Sequence, residues 1–171
     1  MTYNCRKAMK IHSHSKRYSR INFPRFRFIP GQGPHPNHLA KGSHMPELPP
    51  PGPLSLDSWQ NSAHYLYAVD LFNYGYWWEA HEVLEVLWVI AKRDTPTGIF
   101  LQGLIQISAA LLKESQSLHR AALSLSAKGF SKLHSKSGIF MGLDVETFLG
   151  EVEAFLSGEL ESPPLIVLAG D

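Results

Sequence analysis

The chain has a single cysteine, Cys5, in a polar stretch with nothing to pair with. That excludes an intrachain disulfide framework and fits a reducing compartment, so a cytoplasmic location is expected. No apolar run approaches the ~20 residues a membrane-spanning helix needs, and the start lacks the apolar stretch of a secretory signal. A soluble protein with no membrane partner is expected. Acidic residues are missing from residues 1–46, which hold nine Lys and Arg, whereas residues 47–171 hold seven of these against fifteen Asp and Glu. The net charge of +1 therefore averages two unlike materials. Alternating strand patterns are missing too, apart from a short apolar run at 165–168, which leaves an all-α fold.

The basic start could be an organelle-targeting segment, a nucleic-acid-binding arm or an unselected extension, and the last reading is favoured. Tyr18, Phe23, Phe26 and Phe28 do not interleave with the cations in a repeated pattern, which weighs against nucleic acid as a partner. Residues 1–28 are thus expected to be a disordered extension. Residues 30–53 carry eight prolines and four glycines, which forbids regular helix and marks 29–54 as a connector or wrapping arm. At 171 residues the chain is long enough for one ordinary domain, placed at 55–158, with a tail at 159–171.

Five helices can be read in that domain. The first starts at an Asp57 or Ser58 cap and runs to Asn73 and Tyr74, where Gly75 supplies the left-handed residue that ends it. The second covers 76–92, its basic end suiting the helix dipole. Thr95 followed by Pro96 caps and opens the third, which ends near Ser115. The fourth covers 118–135. In the fifth, Asp144 is the cap, Val145, Phe148, Leu149, Val152, Phe155 and Leu156 repeat at helical spacing, and Gly158 ends it. The fold class is a small helical bundle of about five helices with a Pro/Gly-rich N-terminal arm.

The candidate site lies on the second and third helices. At ~100° per residue, Trp77, Ala80, Val83, Leu84, Leu87 and Ala91 form an apolar arc on the second helix. His81, Glu82 and Glu85, with Glu79, crowd one side of it between Trp78 and Trp88. Like charges one turn apart destabilise a helix by only a few tenths of a kcal/mol, so a solvated face would tolerate them. The third helix is apolar all round except for Gln102 and Gln106, one turn apart. A buried amide without a partner costs ~1–3 kcal/mol, so both glutamines should bond to something polar on the second helix, with Gly103 letting the two backbones approach. An imidazole with carboxylates suits a divalent ion such as Zn, Mn or Fe. By spacing alone the signal is weak, because neither the His-Glu-x-x-His of zinc peptidases nor the Glu-x-x-His of di-iron bundles is present. A metal-free alternative makes His81 a general base oriented by Glu85 or Gln102. It lacks a nucleophile, since a lone serine such as Ser108 in an apolar helix usually bonds its own backbone.

The run Asp70-Leu71-Phe72-Asn73-x-Gly75-x-x-Trp78-Glu79-Ala80-His81-Glu82-x-x-Glu85-x-x-Trp88, followed by Phe100-Leu101-Gln102-Gly103-Leu104-Ile105-Gln106, closely resembles the all-helical bacterial domain-of-unknown-function family 309. Ile29-Pro30-Gly31, Pro34-His35-Pro36 and Gly42-Ser43-His44 resemble that family's N-terminal arm, where glycine and histidine are usually adjacent. The resemblance covers residues 29 to 135. It implies a small helical bundle and a predicted metal-dependent hydrolase, with His81, Glu82 and Glu85 as metal ligands, joined by His35 or His44 folded over the helices, His35 being the one favoured, and Gln102 and Gln106 as outer or substrate contacts. On that reading Glu82, Gln102 and Gln106 carry the catalytic roles.

Blander readings stand beside each of these. His81 can be a surface histidine paired with Glu85, the tryptophans are core residues before they are a cofactor stack, and the glutamines can serve only to pair helices. The two functions to be separated are a metal-assisted hydrolase of a small-molecule substrate and a non-catalytic helical module that binds a ligand or pairs as a homodimer.

Overall fold

A computed structural model describes residues 15–39, 44–136 and 138–170 of the chain, with the side chain of Asn37 excepted. Cys5 and the first half of the basic start lie outside them. Five α-helices follow in order: α1 (Ala63–Asn73), α2 (Trp77–Ala91), α3 (Pro96–Ser115), α4 (His119–Leu133) and α5 (Val145–Ser157). The fold is the expected small helical bundle. Among the described residues no helix is long and apolar enough to cross a membrane.

Local chemistry accounts for most boundaries. The Thr95 hydroxyl accepts from Gly98 N and Asp144 accepts from Thr147 N, so α3 and α5 begin where their caps place them. The first helix starts later than expected. Residues 59–61 form a separate 3-10 turn, and Ser62, not Asp57 or Ser58, accepts from Tyr65 N to cap α1. Between α4 and α5 lies a hairpin that the sequence did not suggest, β1 (Ile139–Phe140) paired antiparallel with β2 (Leu143–Asp144). It is too short for an alternating pattern, and it holds because Tyr65 OH donates to Met141 O and Leu168 of the tail bridges Leu143.

α3 is the central helix, packed against α2 on one side and α4 on the other. Phe100, Leu101, Leu104, Ile107, Ala110 and Leu111 are fully buried there. Gly103 serves the second of these contacts, not the α2 approach expected of it. A Cβ on Gly103 would lie 2.6 Å from Leu133 Cγ, and one on Gly129 of α4 would lie 2.8 Å from Ile107 Cδ1, so the two glycines let α3 and α4 close on each other.

Residues 15–28, expected to be disordered, run as an extended arm against α1 and α2. The cause is a set of buried acceptors. Asp70, fully buried on α1, accepts from Tyr18 N at 2.7 Å, Ser19 N at 2.8 Å and Ser19 Oγ at 2.6 Å, and pairs with Arg17. Phe23 stacks on Tyr76, and Arg17 lies over Phe23. The tail is tied in the same way: Asn73 donates to Ile166 O and accepts from Ile166 N.

Candidate metal centre

α2 presents its outer face to solvent along the stripe Trp78, His81, Glu82, Glu85, Trp88 and Val89, residues three and four apart in a helix being neighbours. His81 Nδ1 stands 3.3 Å from Glu82 Oε1, and His81 Nε2 stands 3.5 Å from Glu85 Oε1. The first separation is ion-pair range without hydrogen-bond alignment, and Nδ1 is left with no hydrogen bond although it is buried. Glu82 raises the His81 pKa above its ordinary value against the opposing effect of burial, and Glu85 adds to the rise. One ligand atom from each of the three residues falls within 4.8 Å of the others. In a tetrahedral site with ~2.1 Å bonds the ligand atoms are ~3.4 Å apart, so small rotamer adjustments would close the set.

The two glutamines meet the cluster in height but not by contact. Counting outward from the loop at 92–95 puts Gln102 of α3 level with Glu85 and Gln106 level with His81. Both are half-buried, yet among the described residues no hydrogen bond joins either to α2, contrary to expectation, and the buried Gln106 Oε1 has no partner. Trp88 Nε1 is likewise buried without a partner. Ser108 donates to Leu104 O on its own helix and takes no part.

His35 does not join the cluster. Its ring packs edge-on against Phe28 at 5.0 Å and Trp78 at 5.5 Å, with His38 at 6.0 Å, because the arm carries it to the first turn of α2. His44 is the arm histidine that reaches a carboxylate. It is only 5% exposed, and its Nε2 lies 2.9 Å from Glu79 Oε1, which also accepts from Phe28 N at 2.8 Å. Glu79, grouped by sequence with the acidic face, is fully buried under the arm. Burial pushes its pKa up to about 7, against the Phe28 amide and the Arg27 charge, and Glu82 adds to the rise. Burial lowers the pKa of His44. With Nε2–H donating to Glu79, Nδ1 keeps a lone pair, and both it and Glu79 Oε2 are buried without partners. The intervening serine in Gly42-Ser43-His44 concealed this residue. The available signal was the charge of Glu79 amid Trp77, Trp78 and Ala80 in a helix whose start the arm had to cover.

Fold and cluster together define an all-helical bundle with a candidate metal centre of one histidine and two carboxylates. Residues 65–125, from α1 into α4, match the model of the family described as Domain of unknown function (DUF309), which supports the resemblance over that stretch. No curated protein matches the sequence.

Proposed function

We propose that this protein is a metal-dependent hydrolase whose divalent ion is held by His81, Glu82 and Glu85. The observation that carries the reading is the convergence of those three ligand atoms on one face of α2. The donor set suits Zn, Mn or Fe, and three protein ligands leave coordination positions for water and substrate. A divalent ion so held supplies an acidified water and a Lewis acid for a scissile carbonyl or phosphoryl group. Glu82, whose carboxylate stands 3.3 Å from His81, would be the group to accept a proton from water. Gln106 and Gln102, level with the cluster on α3, are placed to hydrogen-bond a substrate that enters the seam, and the unmet Gln106 Oε1 favours a donor there.

Bound metal is measured first, on wild type and His81→Ala after incubation with Zn, Mn or Fe(II). Stoichiometric metal in the wild type and a fall in affinity of about 100-fold in the variant are expected, by analogy with the 10–100-fold seen on removing outer partners of such sites. Glu82→Gln should then lose hydrolysis of generic ester and phosphoester substrates while keeping its melting temperature. No metal in the wild type would move the reading to a non-catalytic module. Exposed Val86, Val89 and Ile90 on α2 favour that second reading as a homodimer face, which the mass in solution would reveal.

A further inference from the structure

One cation stands close to the candidate centre with no acid to balance it. Arg93 lies two residues past the end of α2, and its guanidinium carbon is 4.6 Å from the centre of the Trp88 ring. Trp88 is one turn beyond Glu85, ~4.5 Å along the helix axis, so the arginine head is folded back toward the cluster when it is free to extend into solvent. The turn that permits this is Lys92, which leaves the helix with a left-handed φ of 63°. Arg93 makes no ion pair or hydrogen bond among the described residues, not even with its exposed neighbour Asp94. A residue present only to complement the helix dipole has no need of an aromatic platform. Stacking fixes the guanidinium plane and leaves its N–H edge open, which is how arginine recognises oxyanions.

The surface between this cation and the cluster is apolar and bare. Val89 is 63% exposed on the same stripe, and Val86 is 45% exposed beside it. Without a metal, Glu82 and Glu85 repel an anion from this surface. With a divalent ion the centre is close to neutral, and Arg93 adds a positive charge at its rim.

We infer that the strip from His81, Glu82 and Glu85 across Trp88 and Val89 to Arg93 binds the oxyanion of a small substrate with an apolar body, Arg93 holding the anionic group. The inference rests on the metal reading of the same cluster. The substrate class is then a phosphoryl or carboxylate compound, and anion binding is coupled to metal binding.

The test uses the full chain, titrated calorimetrically first with Mn2+ alone and then, loaded and unloaded, with phenylphosphonate and with benzoate. Wild type and Arg93→Gln should take up Mn2+ equally. Loaded wild type should bind one of the two anions at least about ten times tighter than loaded Arg93→Gln or unloaded wild type, the size of one good charge-assisted contact. Whichever anion prevails names the phosphoryl or carboxylate class. Arg93→Lys should recover only part of the affinity, because a lysine neither forks nor stacks as arginine does. Equal anion affinity in Arg93→Gln with equal Mn2+ uptake overturns the inference and leaves the metal reading standing. Failure of wild type to take up any of Mn2+, Zn2+ and Fe2+ in parallel runs overturns the metal reading, and the inference with it.

Discussion

At the scale of single residues, the buried acids carry the testable chemistry. Asp70 is wholly enclosed and balances its charge with two amides, a hydroxyl and Arg17, all from the arm. Asp70→Ala strands those donors, and a loss on the order of 3 kcal/mol is expected in urea unfolding. The same variant should be cut sooner by trypsin at Arg20 and Arg25; unchanged cleavage would mean that Asp70 does not hold the arm. Glu79 makes a prediction about pH. Its ordinary value of 4.5 is pushed up to about 7 by burial, so folding favours the protonated form. The stability it contributes is complete below about pH 4.5 and is lost as pH rises through about 7. Glu79→Gln keeps an acceptor for Phe28 N but cannot ionise. Measured against wild type it should therefore gain stability as pH climbs from 4.5 to 7, by up to about 3 kcal/mol, since one pK unit is about 1.4 kcal/mol. Burial lowers His44 and His64, which act in the opposite sense, losing stability as pH falls below 6.5. His64 is untouched by the variant while His44 faces the substituted side chain, so the difference between the curves reports the Glu79–His44 pair. A difference that does not vary with pH would show that Glu79 is ionised in the fold at all these values.

At the scale of elements, close approaches decide how the helices sit. A Cβ on Gly98, in the first turn of α3, would stand 2.2 Å from the Lys92 carbonyl oxygen, which is backbone and cannot yield as a side chain does. Gly98→Ala should thus distort the turn that joins α2 to α3 and cost about 2–3 kcal/mol, despite alanine's better helix propensity. Gly103→Ala meets the branched end of Leu133, which can rotate, and should cost less, about 1–2 kcal/mol. Thermal melts of the two variants check both the sign and the order; a Gly98→Ala protein more stable than wild type would refute the account. The helices themselves were legible because their caps are local: Thr95, Pro96 and Asp144 act within three residues of themselves. The start of α1 was misread because Asp57, Ser58 and Ser62 are all good caps and only packing of Trp59 selects among them. Of the site, the trio on α2 was legible because three and four residue spacings bring side chains together on any helix. His35 and His44 were not, since their places depend on the path of an arm that no periodicity describes.

At the scale of the whole molecule, α1 draws hydrogen-bond partners from outside the helical segment. Several polar groups on it and at its C-cap are met from outside residues 55–158. Tyr67 OH donates to Asn22 O, and Tyr74 OH to Ser15 O. Asp70 receives the amides of Tyr18 and Ser19, and Asn73 exchanges two hydrogen bonds with Ile166, 93 residues away. Partners that distant leave no trace in local pattern, which is why residues 55–158 read as a complete domain. Cutting the chain to 55–158 removes the acceptors and donors of four side chains at once and uncovers Glu79, along with the seats of Phe28, Ile166 and Leu168. Losing these hydrogen bonds, each worth about 0.5–1.5 kcal/mol net, and the burial of Phe28, Ile166 and Leu168, each worth about 1.5–3 kcal/mol, reaches the 5–15 kcal/mol that holds a domain of this size together. The fragment should therefore keep helical far-ultraviolet dichroism while losing the near-ultraviolet signal and a cooperative melt. Restoring residues 15–54 alone should recover part of the melt, and restoring 159–170 as well should recover it in full. A 55–158 fragment that melts cooperatively within a few degrees of the full chain would show that arm and tail are ornaments on a finished core.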